Sequence, residues 1–144
     1  MRANSIGSYF TLLSFSGEPL EQCLLVSPLV DMERTIDNLM HWAGVTEERL
    51  EREKLIDTDF GQKLSWKYLS YVRSHRIDGW NTPTFILRAK KDELIDEDTV
   101  INFSNRFGCK LTVTNGGEHW FHTPEQLSIL CQWEVQSLNQ HNFN

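Results

Sequence analysis

Residues 84–108, TFILRAKKDELIDEDTVINFSNRFG, contain the transition on which the reading of the fold turns. Pro83 precedes a short run, Thr84, Phe85, Ile86 and Leu87, whose β-branched and apolar content and short length suit a buried strand. The charged stretch KKDELID has neither a strand nor a helix period and reads as a loop. EDTVINFSNRF then returns to helical spacing, with Asp96 as a plausible N-cap and Gly108 as the stop.

The same succession is read on either side. Downstream, CKLTVTN alternates apolar and polar residues like a strand with one wetter face. NGGEHWFHTP is a glycine-rich loop, and PEQLSILCQWEVQSL predicts an amphipathic helix with Pro124 in its first turn. The QHNFN tail reads as frayed. Upstream, Cys23–Val26 is a short apolar run ended by Ser27-Pro28, and IGSYFTLLSFS before it has helical spacing. DMERTIDNLMHWAG places Met32, Ile36, Leu39, Met40 and Ala43 on one stripe, bounded by Asp31 and Gly44. Residues 45–81 are more charged and aromatic and predict one or two short helices, of which LSWKYLSYVRSH is the better defined. Strands separated by helical segments imply right-handed crossovers, hence a parallel sheet covered on both faces. The expected class is α/β, with about three parallel strands and flanking helices.

Bulk composition narrows the function. The 144 residues suit one domain, and 40% hydrophobic with 11% aromatic content suits a packed core rather than a disordered chain. The net charge of −6, with no basic stretch longer than a Lys-Lys pair, gives no electrostatic support for nucleic-acid or anionic-membrane binding. Three widely spaced cysteines, Cys23, Cys109 and Cys131, read as buried reduced thiols and point to a cytoplasmic setting. No apolar run approaches the roughly 20 residues of a membrane span, and no signal-peptide pattern opens the chain.

Three residues stand where parallel sheets collect their chemistry, just past the carboxyl ends of strands or at the start of a helix. Ser5 lies in ANSIGS before the first helix, Asp92 follows the strand TFILRA, and His119 follows the strand KLTVT. A serine hydroxyl becomes a nucleophile when an imidazole removes its proton. The imidazole in turn needs a carboxylate to fix its tautomer and stabilise its charged form.

This order and placement resemble the α/β-hydrolase fold family, whose triad runs nucleophile, acid, histidine. FILRAKKDELIDEDTVINFSNRF is similar to that family's strand, acid loop and helix, with Leu94 and Ile95 as the apolar pair closing the loop. LTVTNGGEHWFHTPEQLSILCQWE is similar to its last strand, histidine loop and final helix, and CLLVSPLVDM to the strand after the nucleophile's helix. The resemblance covers nearly the whole chain in order, and corresponds to the C-terminal portion of the family's fold. It implies one incomplete domain over residues 1–144, with a small cap-like helical insertion over 45–80. It also implies hydrolysis of a carboxylic ester or related acyl bond through a Ser5 acyl-enzyme, with His119 as base, Asp92 as acid and the Ile6 N–H in the oxyanion hole. Trp42, Trp66 and Tyr68 become candidates for an apolar acyl pocket, and neither a metal nor an organic cofactor is implied.

Each assignment has a rival. Asp96 competes with Asp92, but Asp96 suits a helix cap. His122 competes with His119, and an H-x-x-H metal pair lacks a third ligand at motif spacing. His41, His75 and His141 read as surface or helix-face residues. Two departures from the family pattern are expected to matter. The elbow G-x-S-x-G stands here as Ala3-Asn4-Ser5-Ile6-Gly7, and the four residues before Ser5 leave no room for a supporting strand or for the segment that donates the second oxyanion N–H. A second function therefore stands beside the first: a catalytically inactive remnant or fragment that self-associates, or pairs with another chain, through an exposed sheet edge.

Overall fold

The computed structural model describes residues 1–141; residues 142–144, part of the tail read as frayed, lie outside the described residues. The chain divides into two compact units. One comprises Met1–Val30 together with the chain from Ile77 onward, and the other is Asp31–Arg76.

The first unit is built on a four-stranded parallel sheet of β1 (Arg2–Asn4), β2 (Cys23–Val26), β5 (Thr84–Ala89) and β6 (Lys110–Thr114), in that spatial order. The three strands expected from sequence are present, and Arg2–Asn4 adds a fourth. Three residues cannot display a period, so β1 is specified by its pairing: Arg2, Ala3 and Asn4 register with Leu24, Leu25 and Val26. The expectation that the residues before Ser5 leave no room for a supporting strand is overturned by β1.

Alternation along the strands divides their side chains between two apolar clusters. Cys23, Leu25 and Ile86 face one cluster with Leu12 of helix α1 (Ile6–Phe15) and Val100 and Phe103 of helix α5 (Glu97–Phe107). Leu24, Val26, Phe85 and Leu87 face the other, with Leu130 and Trp133 of helix α6 (Pro124–His141). Burial on both faces explains why β2 and β5 read as unbroken apolar runs. Each fully buried Leu or Ile here contributes about 1.5–3 kcal/mol. At the far edge β6 is half-exposed, which is why its sequence alternates. Gly108 ends α5 in the left-handed conformation, φ 65°, and its N–H reaches the Ser104 carbonyl.

The second unit contains helices α2 (Met32–Trp42), α3 (Glu47–Glu53) and α4 (Trp66–Ser74), with an antiparallel pair β3 (Leu55–Asp57) and β4 (Lys63–Ser65). Each helix begins on the capping side chain its sequence offers: Asp31 Oδ1 accepts from the Arg34 N–H, Thr46 from Arg49 and Ser65 from Tyr68. Arg73 of α4 joins the three helices through two bonds to Glu47 of α3 and one to Glu33 of α2. Those bonds raise the Arg73 pKa and hold the Glu47 carboxyl below its ordinary value. The β3–β4 hairpin was not legible in sequence, because its strands are three residues each and its turn depends on Gly61 at φ 79°.

The reading of all three cysteines as buried is corrected. Cys131 is exposed on α6, whereas Cys23 is buried and Cys109 half-buried. Trp42 is 55% exposed at the end of α2, whereas Trp80, Met32 and Met40 are buried.

Candidate active site

Ser5 sits at the joint between β1 and α1, with φ 48° and ψ −127°. A non-glycine residue in that region stores on the order of 1–3 kcal/mol of strain, so surrounding contacts must hold it there. Three backbone hydrogen bonds do. The Ser5 N–H donates to the Val26 carbonyl at 3.0 Å, and the Ser5 carbonyl accepts from Ser8 at 3.0 Å and Leu29 at 3.1 Å. The sharp turn is thus tied to the end of β2. Ile6 is the first residue of α1, where helix N–H groups point outward with the positive end of the dipole. Close packing does not require Gly7: a Cβ built there meets nothing within 4 Å.

Asp92 lies in the loop between β5 and α5, buried to 4% exposure. Its Oδ1 accepts the N–H groups of Leu94 at 3.0 Å and Ile95 at 3.1 Å, which curls the loop around the carboxylate. Its Oδ2 lies 3.0 Å from His119 Nδ1. Asp96, the rival, caps α5 by accepting from the Asp98 N–H.

His119 follows β6 in the glycine-rich loop and is 8% exposed. Its Nε2 stands 2.9 Å from Ser5 Oγ, so a continuous chain of hydrogen bonds runs from Ser5 through His119 to Asp92. With Nδ1 donating to a carboxylate, Nε2 is the basic nitrogen and the Ser5 hydroxyl donates to it. The ring is met edge-on by Trp120, centroids 4.5 Å apart at 89°. His122, the other candidate, is exposed, and its Nδ1 contacts the Trp120 carbonyl while its backbone N–H is capped by Gln126. Among the described residues, no three His, Cys, Asp or Glu side chains gather in a way that could hold a metal ion.

Ser5, Asp92 and His119 all belong to the first unit, whereas Trp42, Trp66 and Tyr68 belong to the second. Trp66 lies under the Lys54 ammonium, 5.8 Å from its centroid. Burial raises the Tyr68 phenol pKa above its ordinary value, and its hydroxyl has no partner among the described residues. Two residues that shape the site escaped the sequence reading. Gly117 is buried, and a Cβ there would come within 2.9 Å of Phe121 and 3.1 Å of Ala89, so the histidine loop passes against β5 only because this residue is glycine. The doublet Gly116-Gly117 was the available signal. Arg88 is the other, a charged residue inside an otherwise apolar strand.

The fold is that of the α/β hydrolases. The chain superposes on mouse alpha/beta hydrolase domain-containing protein 10 with a TM-score of 0.77 at 12% identity, covering 96% of this chain and 61% of that one. On Est1E from Butyrivibrio proteoclasticus the values are 0.68, 19%, 96% and 61%. On the esterase domain of a Rhodothermus marinus protein they are 0.66, 9%, 98% and 60%. This chain spans about three-fifths of the length of each of these structures. At such identities they define its fold, a part of the α/β-hydrolase fold. No family model and no curated protein matches the sequence.

Proposed function

We propose that the chain is a serine hydrolase acting on carboxylic esters or related acyl bonds. The observation that carries this reading is the unbroken series Ser5 Oγ, His119 Nε2, His119 Nδ1 and Asp92 Oδ2, with contacts of 2.9 and 3.0 Å. As Oγ attacks the acyl carbon, its proton passes to His119 Nε2, and Asp92 stabilises the resulting imidazolium. The acyl oxygen becomes an oxyanion that the Ile6 N–H can meet at the start of α1. Collapse expels the leaving group, which takes the proton from His119 and leaves an acyl group on Ser5. Water, deprotonated by His119, then attacks the acyl-enzyme, and Ser5 departs with the proton returned. The mechanism calls for no metal or organic cofactor, and the proposed setting is cytoplasmic. Among the described residues no helix is long and apolar enough to cross a membrane.

The test is labelling by a fluorophosphonate probe together with turnover of p-nitrophenyl esters. Both are expected in the wild type and lost in Ser5→Ala. A folded wild-type chain that neither labels nor turns over sinks the proposal.

A second reading rests on β1, whose one partner strand among the described residues is β2. Met1, Ile6 and Phe10 are exposed in this part of the chain. An inactive chain that pairs there, with a second copy or another chain, has a larger mass in solution and does not label. Labelling of Ser5 in the monomer excludes that reading.

A further inference from the structure

Arg88 is the one charged residue of β5, in a strand buried at every position, and it is itself only 3% exposed. A buried cation is costly unless its surroundings compensate it, so a charge in this place needs a structural reason. Its Nη2 donates to the carbonyl of Asp92 at 3.3 Å and to that of Ile95 at 3.4 Å. Its Nη1 lies 3.7 Å from Glu97 Oε2, on the first turn of α5. Both carbonyls belong to the acid loop. They bracket the same residues whose N–H groups, on Leu94 and Ile95, bond to Asp92 Oδ1. The loop is therefore gripped twice: the carboxylate gathers its N–H groups, and the guanidinium gathers its carbonyls.

This double grip leaves Asp92 Oδ2 for His119. We propose that Arg88 is a positioning residue for the acid, clamping the loop main chain so that Oδ2 faces His119 Nδ1. The inference rests on the serine-hydrolase reading for its activity readout but not for its structural one. Arginine suits the task because its planar fork reaches two carbonyls and Glu97 together, while an ammonium is a single point of charge. Nε and Nη1 have no hydrogen-bond partner among the described residues.

The experiment uses the full chain and two measurements. The first is the strongly deshielded proton NMR signal of an imidazole N–H bonded to a carboxylate, which reports the His119–Asp92 bond with or without catalysis. The second is the rate constant for fluorophosphonate labelling of Ser5. Arg88→Met is expected to lose the signal and to slow labelling about a hundredfold, the scale of a 1 Å misplacement. Arg88→Lys is expected to weaken the signal and slow labelling about tenfold. Val100→Ala, a core change in α5, serves as the stability-matched control and keeps the signal. Wild-type signal in Arg88→Met, or in Arg88→Lys should the methionine variant not fold, overturns the proposal, as does its absence from the wild type. A wild type that shows the signal but never labels defeats the hydrolase reading alone, and the Arg88 variants are then scored on the signal.

Discussion

Strain at a single residue separates the chemistry of Ser5 from its stability. At φ 48° any side chain with a Cβ is disfavoured, and the cost is borne by the Ser5 N–H bond to the Val26 carbonyl and the bonds from the Ser8 and Leu29 N–H groups. Ser5→Ala removes the hydroxyl but keeps the Cβ and hence the strain. Ser5→Gly removes both. Denaturant unfolding is expected to find Ser5→Gly more stable than Ser5→Ala by about 1 kcal/mol, although neither variant labels. Equal stability would show that the turn is relaxed. The identity of the three candidate side chains was legible from their positions after strands and before a helix. Their contacts were not, since His119 lies 27 residues from Asp92 and 114 from Ser5.

Elements hold those residues in place, and two glycines of the same sequence class behave differently within them. Gly117 carries the histidine loop past Phe121 and Ala89 with no space for a methyl group, whereas Gly7 in α1 has open space around it. Gly117→Ala is expected to cost about 1–3 kcal/mol through overpacking and to slow Ser5 labelling about a hundredfold by moving His119. Gly7→Ala is expected to stabilise α1 by about 0.5–1 kcal/mol. Thermal unfolding of the pair checks both signs, and a Gly117→Ala chain as stable and reactive as wild type refutes the packing argument. The longer helices and β6 were legible from their periods, and β2 and β5 from short, nearly unbroken apolar runs. β1, β3 and β4 are each three residues long and exist only through their partners.

At the scale of the whole molecule, burial sorts three chemically identical thiols. Burial pushes the Cys23 and Cys109 pKa up to about 11, while Cys131 stands exposed on α6. Iodoacetamide at mildly alkaline pH is therefore expected to add one group to the folded chain, at Cys131, and three after unfolding, read by intact mass. A second rapid addition to the folded protein contradicts the burial. The raised values also set a pH dependence. The unfolded thiols ionise at ~8.5, the ordinary thiol value, and the folded ones near 11, so the folded state holds more protons between those limits. Stability is expected to fall as pH rises through that window and to be unaffected by these thiols below it.

The sequence by itself determined the alternation of strands and helices, the chain order of Ser5, Asp92 and His119, and the caps at Asp31, Asp96 and Gly108. These are local properties, fixed by side-chain period and backbone preference within a few residues. Only the tertiary structure decided that Arg2–Asn4 joins the sheet, that Arg88 turns inward to the acid loop, and that Gly117 must be glycine. It also brought His119 Nε2 to 2.9 Å from Ser5 Oγ. Such features depend on parallel strands in register, Asn4 beside Val26, Val26 beside Leu87 and Leu87 beside Thr112, which align the strand ends along one edge of the sheet. Register is set by packing on both faces at once, and no short stretch of sequence contains it.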